Sequence, residues 1–270
     1  MSAFLLLWRE ALLDALRRKL VLAIAAMSLL SLLVLDTCAG AAPVIQAQGV
    51  PQDPRSAQAV IAIVLLVIVG LWIATLSGLL AADHLAQALE DGHANMALAR
   101  PVRRHELAFA RLAGALTVAL AAGALLLGMT AFWLATRGGL SPMPALLASL
   151  ACAIACVTLG ALAMTASLAL PRLAIWLLVF ALVFFTTLGT ALNLFWPVAA
   201  GDSVSWVGGF ARALDLYGPP IARAMLAALA PWIPGAQLPI DFAAVLARAV
   251  VWAAASVGLL AVAFRRVELR

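Results

Sequence analysis

The sequence predicts an all-α, polytopic integral membrane protein. Hydrophobic residues make up 66% of the 270 residues and charged residues only 11%, whereas soluble domains are about 45–50% apolar and about 25% charged. Long apolar runs follow one another along the chain, and a single polar segment, residues 83–106, interrupts them near the middle. We therefore expect one membrane domain over residues 1–270 with only short parts outside the lipid.

Six apolar runs are long enough to cross a bilayer, which takes about 20 residues per helix. Their few charged residues, among them Asp36, Arg111 and Arg248, lie near the ends of the runs, where side chains can reach the interface. The predicted spans are residues 20–41, 59–82, 107–136, 144–170, 173–197 and 242–264.

The basic residues predict the orientation of these spans. With six spans, twelve of the 17 Lys and Arg residues fall on the side that also carries both termini. Cytoplasmic loops are enriched in Lys and Arg. We therefore expect both termini and residues 83–106 to lie in the cytoplasm, in a bacterial inner membrane.

The pattern of apolar and charged residues over 2–18 predicts an amphipathic helix that lies in the membrane interface before the first span. At 100° per residue, the apolar side chains share one face and the charged ones take the other. The helix is either an orientation anchor or an elbow helix that also contacts a cytoplasmic partner. Its candidate residues are Trp8, Arg9, Asp14, Arg17 and Arg18.

The segment 198–241 between the last two spans is divided by prolines. Within it, residues 221–232 are apolar but too short to span, which predicts a re-entrant or interfacial segment. It is either a gate that lines a path or a cap that closes the outer face. An aromatic belt is expected at Trp196, Trp206, Tyr217 and Trp232.

Two spans carry small residues at four-residue spacing, which predicts close helix packing rather than binding sites. One series runs from Gly70 to Ala82, and the other comprises Cys152, Cys156 and Gly160. No third or fourth ligand lies near the two cysteines in sequence, so we expect no metal site there.

No catalytic pattern is found in the sequence, so we expect no catalytic, cofactor-binding or metal-binding residues. It contains neither a phosphate-binding Walker A loop nor a zinc-binding His-Glu-x-x-His pair nor a nucleophile elbow. The span interiors are nearly free of ionisable groups: Asp36 and Asp83 lie near span ends, and Asn193 is neutral. An ion-coupled transporter usually keeps such groups inside the membrane. The energy source is then expected to lie in a partner.

Residues 83–106 have an internal order of their own. The second span can continue as helix from Asp83 to Leu89, and Gly92 then allows a sharp bend. A short helix is expected over residues 93–99, and it ends at Arg100 because Pro101 disfavours the α conformation of the residue before it.

This polar segment resembles the cytoplasmic segment of the ABC-2 type transporter permeases. The resemblance is carried by Glu90-Asp91-Gly92 and by Met96-Ala97-Leu98-Ala99-Arg100-Pro101-Val102-Arg103-Arg104. It extends to the layout of the whole chain: an N-terminal amphipathic helix, six spans and an outer apolar segment before the last span. His93 stands where the family has a hydroxyl residue, and Ala110-Arg111 replaces the family's Gly-Lys.

The resemblance implies a permease subunit of an ATP-driven exporter, similar to the nitrous oxide reductase maturation permease and to antibiotic and sodium export permeases. Two permease chains, identical or related, would pair and dock onto two copies of an ATP-binding subunit. An accessory periplasmic protein is a further possible partner, and nucleic acid is not expected. ATP and Mg would bind the partner and not this chain. The residues implied in contact with the ATPase are Asp83, Glu90, Asp91, Gly92, His93, Asn95, Met96, Leu98, Arg100, Pro101, Arg103 and Arg104.

Two alternatives stay open at this point. One is a stand-alone secondary transporter or channel. The other is a membrane-embedded enzyme or assembly scaffold, in which Asp83 and His84 would be the reactive pair. The simpler interpretation of Asp83-His84 is the solvated end of the second span.

Overall fold

The computed structural model describes residues 3–17, 54–90, 104–138, 141–195, 206–232 and 240–266, together with the single positions Ala26, Leu30 and Leu33. All regular structure within these residues is helical. The helices are α1 (Ala3–Arg17), α2 (Pro54–Glu90), α3 (Arg104–Gly138), α4 (Met143–Ala166), α5 (Arg172–Phe195), α6 (Trp206–Tyr217), α7 (Ile221–Leu229), a short 3-10 helix (Ala230–Trp232) and α8 (Phe242–Arg266).

Five of these helices, α2, α3, α4, α5 and α8, are long and apolar enough to cross a membrane. They coincide with five of the six predicted spans, which supports a multi-pass membrane protein. The predicted span 20–41 lies outside the described residues. Most of the helices extend beyond the predicted spans, because a helix does not end where its apolar stretch ends. In particular α2 continues past Asp83 to Glu90, as predicted.

One helix ends earlier than its apolar run. Residues 144–170 are predicted as a span, but α4 ends at Ala166 and residues 167–170 form a hydrogen-bonded turn. Pro171 explains the early end, because proline disfavours the α conformation of the residue before it. Pro171 also begins the next helix, since its carbonyl accepts a hydrogen bond from the backbone N–H of Ala174 at 2.9 Å.

The centre of the bundle is the contact between α2 and α4, around which α3, α5, α7 and α8 pack. Gly70 and Gly78 of α2 lie beside Cys152 and Leu159 of α4, although their nearest neighbours are Met225 of α7 and Val179 of α5. Gly160 of α4 faces α3 in the same way. The predicted small-residue stripes are thus confirmed as packing faces, where short side chains let helix backbones approach closely.

The bundle has two ends, called the Asp83 end and the Ser141 end after residues that lie there. The Asp83 end holds the last turns of α2 and the first turn of α5. The Ser141 end holds the start of α4 and the end of the 3-10 helix, where the Trp232 indole N–H donates to the carbonyl of Ser141 at 3.0 Å. Trp232 is therefore buried, and its expected place in an exposed aromatic belt is wrong, whereas Trp206 and Tyr217 are largely exposed.

Helix α7 packs beside α4 and runs toward the Ser141 end of the bundle. Its first turn, at Ile221, borders Ala151 and Thr158 of α4, whereas Trp232, shortly after α7, reaches Ser141. Later residues of the α7 segment thus lie beside earlier residues of α4, so the two helices are antiparallel. Seven of the nine residues of α7 are buried, and every residue of this short helix except Arg223 is apolar.

The contact between α5 and α6 depends on the absence of a side chain at Gly189. A Cβ there would collide with the backbone carbonyl of Ala211 and lie 2.9 Å from the Cβ of Asp215. We predict that Gly189→Ala lowers the stability by about 1–3 kcal/mol, because backbone atoms cannot turn aside as side chains do. The measurement is the thermal unfolding midpoint of the detergent-purified chain.

Gly258→Ala in α8 is the matched control. A Cβ at Gly258 meets no atom of the described residues within 4 Å, and alanine is the better helix former by roughly 1 kcal/mol. Its midpoint should be unchanged or higher. Equal midpoints for the two variants would contradict the close contact of α5 with α6.

Candidate functional site

The first polar contact of interest joins α2 to α5 at the Asp83 end. Oδ2 of Asp83 accepts a hydrogen bond from a terminal guanidinium nitrogen of Arg172 at 2.6 Å. The Asp83 side chain is only 2% exposed, whereas that of Arg172 is 53% exposed. The Arg172 guanidinium also lies 5.0 Å from the ring centroid of Trp176, one turn further along α5. The interpretation of Asp83 as a solvated helix end is therefore wrong.

A small apolar cluster lies on the same helices near this end. It is formed by Leu79 and Ala82 of α2, Ala163 of α4, and Ile175 and Val179 of α5. Because the Asp83 side chain is only 2% exposed, its attraction to Arg172 is less screened by water than that between two exposed groups. The pair fixes the last apolar turn of α2 to the first turn of α5.

Asp83 is the one predicted ATPase-contact residue whose side chain the structure describes. Glu90 and Arg104 are placed as the last residue of α2 and the first of α3, by backbone only. The other predicted contact residues lie outside the described part of the chain: Asp91, Gly92, His93, Asn95, Met96, Leu98, Arg100, Pro101 and Arg103. The short helix expected over residues 93–99 lies there too.

The N-terminal helix is present as predicted and packs along α3. Ala11 is fully buried, and a Cβ on Gly114 would lie 2.6 Å from the Cβ of Ala11. The Trp8 indole N–H donates to the hydroxyl of Thr117 at 3.2 Å. Arg9 is exposed; Asp14 and Arg17 are described by backbone only, and Arg18 lies outside the described residues. These contacts hold α1 against α3. The position of α1 in a membrane interface stays a prediction.

A second polar contact, which the sequence did not reveal, lies nearer the Ser141 end. Asp215 of α6 is 1% exposed. Its carboxylate accepts hydrogen bonds from the Thr190 hydroxyl at 2.6 Å, the Asn193 amide at 2.7 Å and the Arg223 guanidinium at 2.8 Å. One carboxylate thus joins α5, α6 and α7, and it lies outside the predicted spans, whose interiors were expected to be nearly free of ionisable groups.

Arg248 connects α8 to the same place. Its two terminal nitrogens donate to the carbonyls of Asp215 at 2.6 Å and Leu216 at 2.7 Å, in the last turn of α6. A cation at a helix C-terminus is favoured by the helix dipole. Arg248 was expected to lie near the interface, and the structure adds that it contacts the last turn of α6. Thr190, Asn193, Asp215, Arg223 and Arg248 are called the Asp215 cluster below.

Weak signals for this cluster exist in the sequence. Thr190 and Asn193 lie three residues apart, on one face of a predominantly apolar helix. Asp215 is the one acidic residue between Asp202 and Asp241, and Arg223 follows in a helix with no other charge. Each signal is weak alone, because the partners come from four helices up to 58 residues apart in sequence.

Among the residues that the structure describes, no three His, Cys, Asp or Glu side chains are grouped to hold a metal ion. Cys152 instead donates its thiol hydrogen to the carbonyl of Gly70 at 3.4 Å. What the geometry provides is two charged contacts near opposite ends of α5.

Comparison with known proteins gives no match: neither a family model nor a curated protein sequence matches this chain.

We predict that Asp83 and Arg172 are energetically coupled. In a double-mutant cycle with Asp83→Ala and Arg172→Ala, the coupling energy should be about 1 kcal/mol, because Arg172 is half-exposed and partly screened by solvent. Thermal unfolding of the four proteins in detergent measures it. As a control, Arg172→Ala and Asp241→Ala, at opposite ends of the bundle, should be additive; additivity for Asp83 and Arg172 would contradict the contact.

We further predict that Asp215→Ala lowers the stability by about 3 kcal/mol. The substitution leaves the Arg223 guanidinium buried without its carboxylate, which is costly in a low-dielectric interior. Asp241→Ala is the matched control, since Asp241 is exposed and only caps α8 through the Ala243 N–H at 2.9 Å; its cost should be about 1 kcal/mol. Similar unfolding midpoints for the two variants would refute a structural role for the Asp215 cluster.

Proposed function

We propose that this chain is the membrane-spanning permease subunit of an ATP-driven ABC exporter of the ABC-2 type. The proposal rests on the resemblance of residues 83–106 to that family's cytoplasmic segment. It includes a bacterial inner membrane with both termini in the cytoplasm, and pairing with a second copy or a related permease. A separate ATPase, in two copies, would bind ATP and Mg.

One structural observation carries the mechanical part of the proposal. Helix α2 continues without a break from its apolar stretch through Asp83 to Glu90. Seven residues of α-helix extend about 10 Å. The predicted ATPase-contact residues after Glu90 therefore follow directly from the end of a continuous helix. A force on that segment would move α2 as a unit.

The contacts of α2 determine where such a movement would go. The Asp83–Arg172 pair would pass it to the start of α5, and the Asp215 cluster ties the other end of α5 to α6, α7 and α8. Helix α1 is packed on α3, which begins on the far side of the same polar segment. ATP-driven closure of the partner would then tilt helices from the Asp83 end and open a path between two protomers.

A stand-alone secondary transporter is the second candidate, and Asp215 favours it. A buried carboxylate in an apolar bundle is typical of ion-coupled transport. Against it, the carboxylate already accepts three hydrogen bonds, which leaves little capacity for an exchangeable ion. The exporter subunit is therefore the better-supported candidate.

The test combines purification with transport. A tagged chain, solubilised from its native host, should co-purify with an ATP-binding-cassette protein, and the reconstituted complex should hydrolyse ATP. We predict that Glu90→Ala and Gly92→Pro leave membrane insertion intact but lower ATP hydrolysis by roughly tenfold, because loss of one charged contact at an interface costs about 1.5 kcal/mol or more. Proline at position 92 would also distort the expected bend.

Asp241→Ala is the control, because it removes an exposed carboxylate at the Ser141 end. It should retain full ATP hydrolysis. Absence of any co-purifying ATPase, or unchanged hydrolysis in both segment variants, would count against the proposal. Transport by the purified chain alone, driven by an ion gradient without ATP, would establish the secondary transporter instead.

A further inference from the structure

The Asp215 cluster has more positive than negative charge. Arg223 donates to the Asp215 carboxylate, whereas Arg248 donates only to the backbone carbonyls of Asp215 and Leu216. Two arginines therefore contact Asp215, and only one of them is paired with its carboxylate. The dipole at the end of α6 compensates part of the charge of Arg248, and a net positive charge is left among these groups.

Each of the two arginines also keeps an unused hydrogen-bond donor. The Nε atoms of Arg223 and Arg248 are buried and have no acceptor among the residues that the structure describes. Buried polar groups in folded proteins are nearly always hydrogen-bonded, and an unpaired donor on a charged group is especially unfavourable. Among the described residues, no acceptor with a negative charge is placed against these two Nε atoms.

The arginines are of the type that binds oxyanions. A guanidinium group presents its N–H donors in a planar fork that matches phosphate and carboxylate oxygens. The surface beside the cluster is apolar and aromatic: Leu216 is 49% exposed and Tyr217 is 79% exposed. Such a surface suits the acyl chains and interface of a bilayer, so that a lipid headgroup could approach the two arginines from the side.

We propose that Arg223 and Arg248 form a binding site for an oxyanion that bears a phosphate group. The source is either the headgroup of an anionic phospholipid or free phosphate, and the exposed apolar surface favours the phospholipid. The bound oxyanion accepts from the two Nε–H groups and neutralises the excess charge. The site does not depend on the proposed ATPase partner, because it lies near the opposite end of α5 from Asp83.

The test uses the full chain in nanodiscs of neutral phosphatidylcholine. Short-chain phosphatidylglycerol, short-chain phosphatidylcholine and inorganic phosphate are titrated separately, and tryptophan fluorescence follows thermal unfolding. A saturable rise of the unfolding midpoint with phosphatidylglycerol alone supports the site with a lipid as its source. A rise with inorganic phosphate as well supports it with a free anion as its source. No rise with either, or an equal rise with phosphatidylcholine, overturns the proposal.

Three variants separate binding from folding. Arg248→Gln should weaken the apparent affinity for the anion roughly tenfold, whereas Arg265→Gln, an exposed arginine 17 residues further along the same helix, should leave it unchanged. Asp215→Asn removes the competing carboxylate, so it should lower the protein's stability yet tighten anion binding. A purely structural cluster predicts lower stability for Asp215→Asn without tighter binding, and that result would overturn the proposal even if Arg248→Gln fails to fold.

Discussion

The close contact between α2 and α4 is the constraint on which the other helices depend. In a lipid environment apolar side chains gain nothing by leaving the solvent, so helices associate through close packing and a few hydrogen bonds. The Cys152 thiol donates to the carbonyl of Gly70 at 3.4 Å, and the hydroxyl of Ser77 donates to the carbonyl of Cys156 at 3.1 Å as well as to its own helix. In α2, 72% of the most apolar stretch is buried, against 22% in α8. The other helices are arranged around this pair.

Helix α5 is held differently, and this difference gives the bundle its two charged contacts. Only 33% of its most apolar stretch is buried, and it follows α4 in sequence without packing closely on it. Its firm attachments are Val179 against Gly78, Arg172 on Asp83, and the Thr190 and Asn193 bonds to Asp215. A continuous series of contacts therefore runs from the tip of α2 through α5 to α6 and α7.

Five of the six predicted spans coincide with long apolar helices of the structure, whereas the charged contacts were not predicted from the sequence. An apolar run of more than 20 residues specifies a helix by itself, because lipid leaves the backbone no other way to satisfy its hydrogen bonds. The extension of α2 to Glu90 followed from the absence of a breaking residue before Gly92.

Asp83 was misjudged because its partner, Arg172, is 89 residues away. Asp215 was overlooked because α6 is amphipathic and short, as a helix lying on a surface would be. Trp232 was misplaced since its indole finds an acceptor, the Ser141 carbonyl, inside the bundle.

The choice of arginine over lysine at these contacts follows from geometry. Lys19 is the only lysine among the 17 Lys and Arg residues and lies outside the described residues, so the described ion pairs and cation contacts at Arg172, Arg223 and Arg248 are all made by arginine. Arg248 bonds two successive carbonyls of α6 with two different nitrogens, which a single ammonium group cannot reproduce with the same geometry. Arg172 combines its ion pair with a position over the ring of Trp176, and a planar, weakly hydrated guanidinium suits that arrangement better than a strongly hydrated ammonium. Arginine therefore lets one side chain join two elements at once, and in a bundle with few polar groups this is what connects α5 and α6 to the rest.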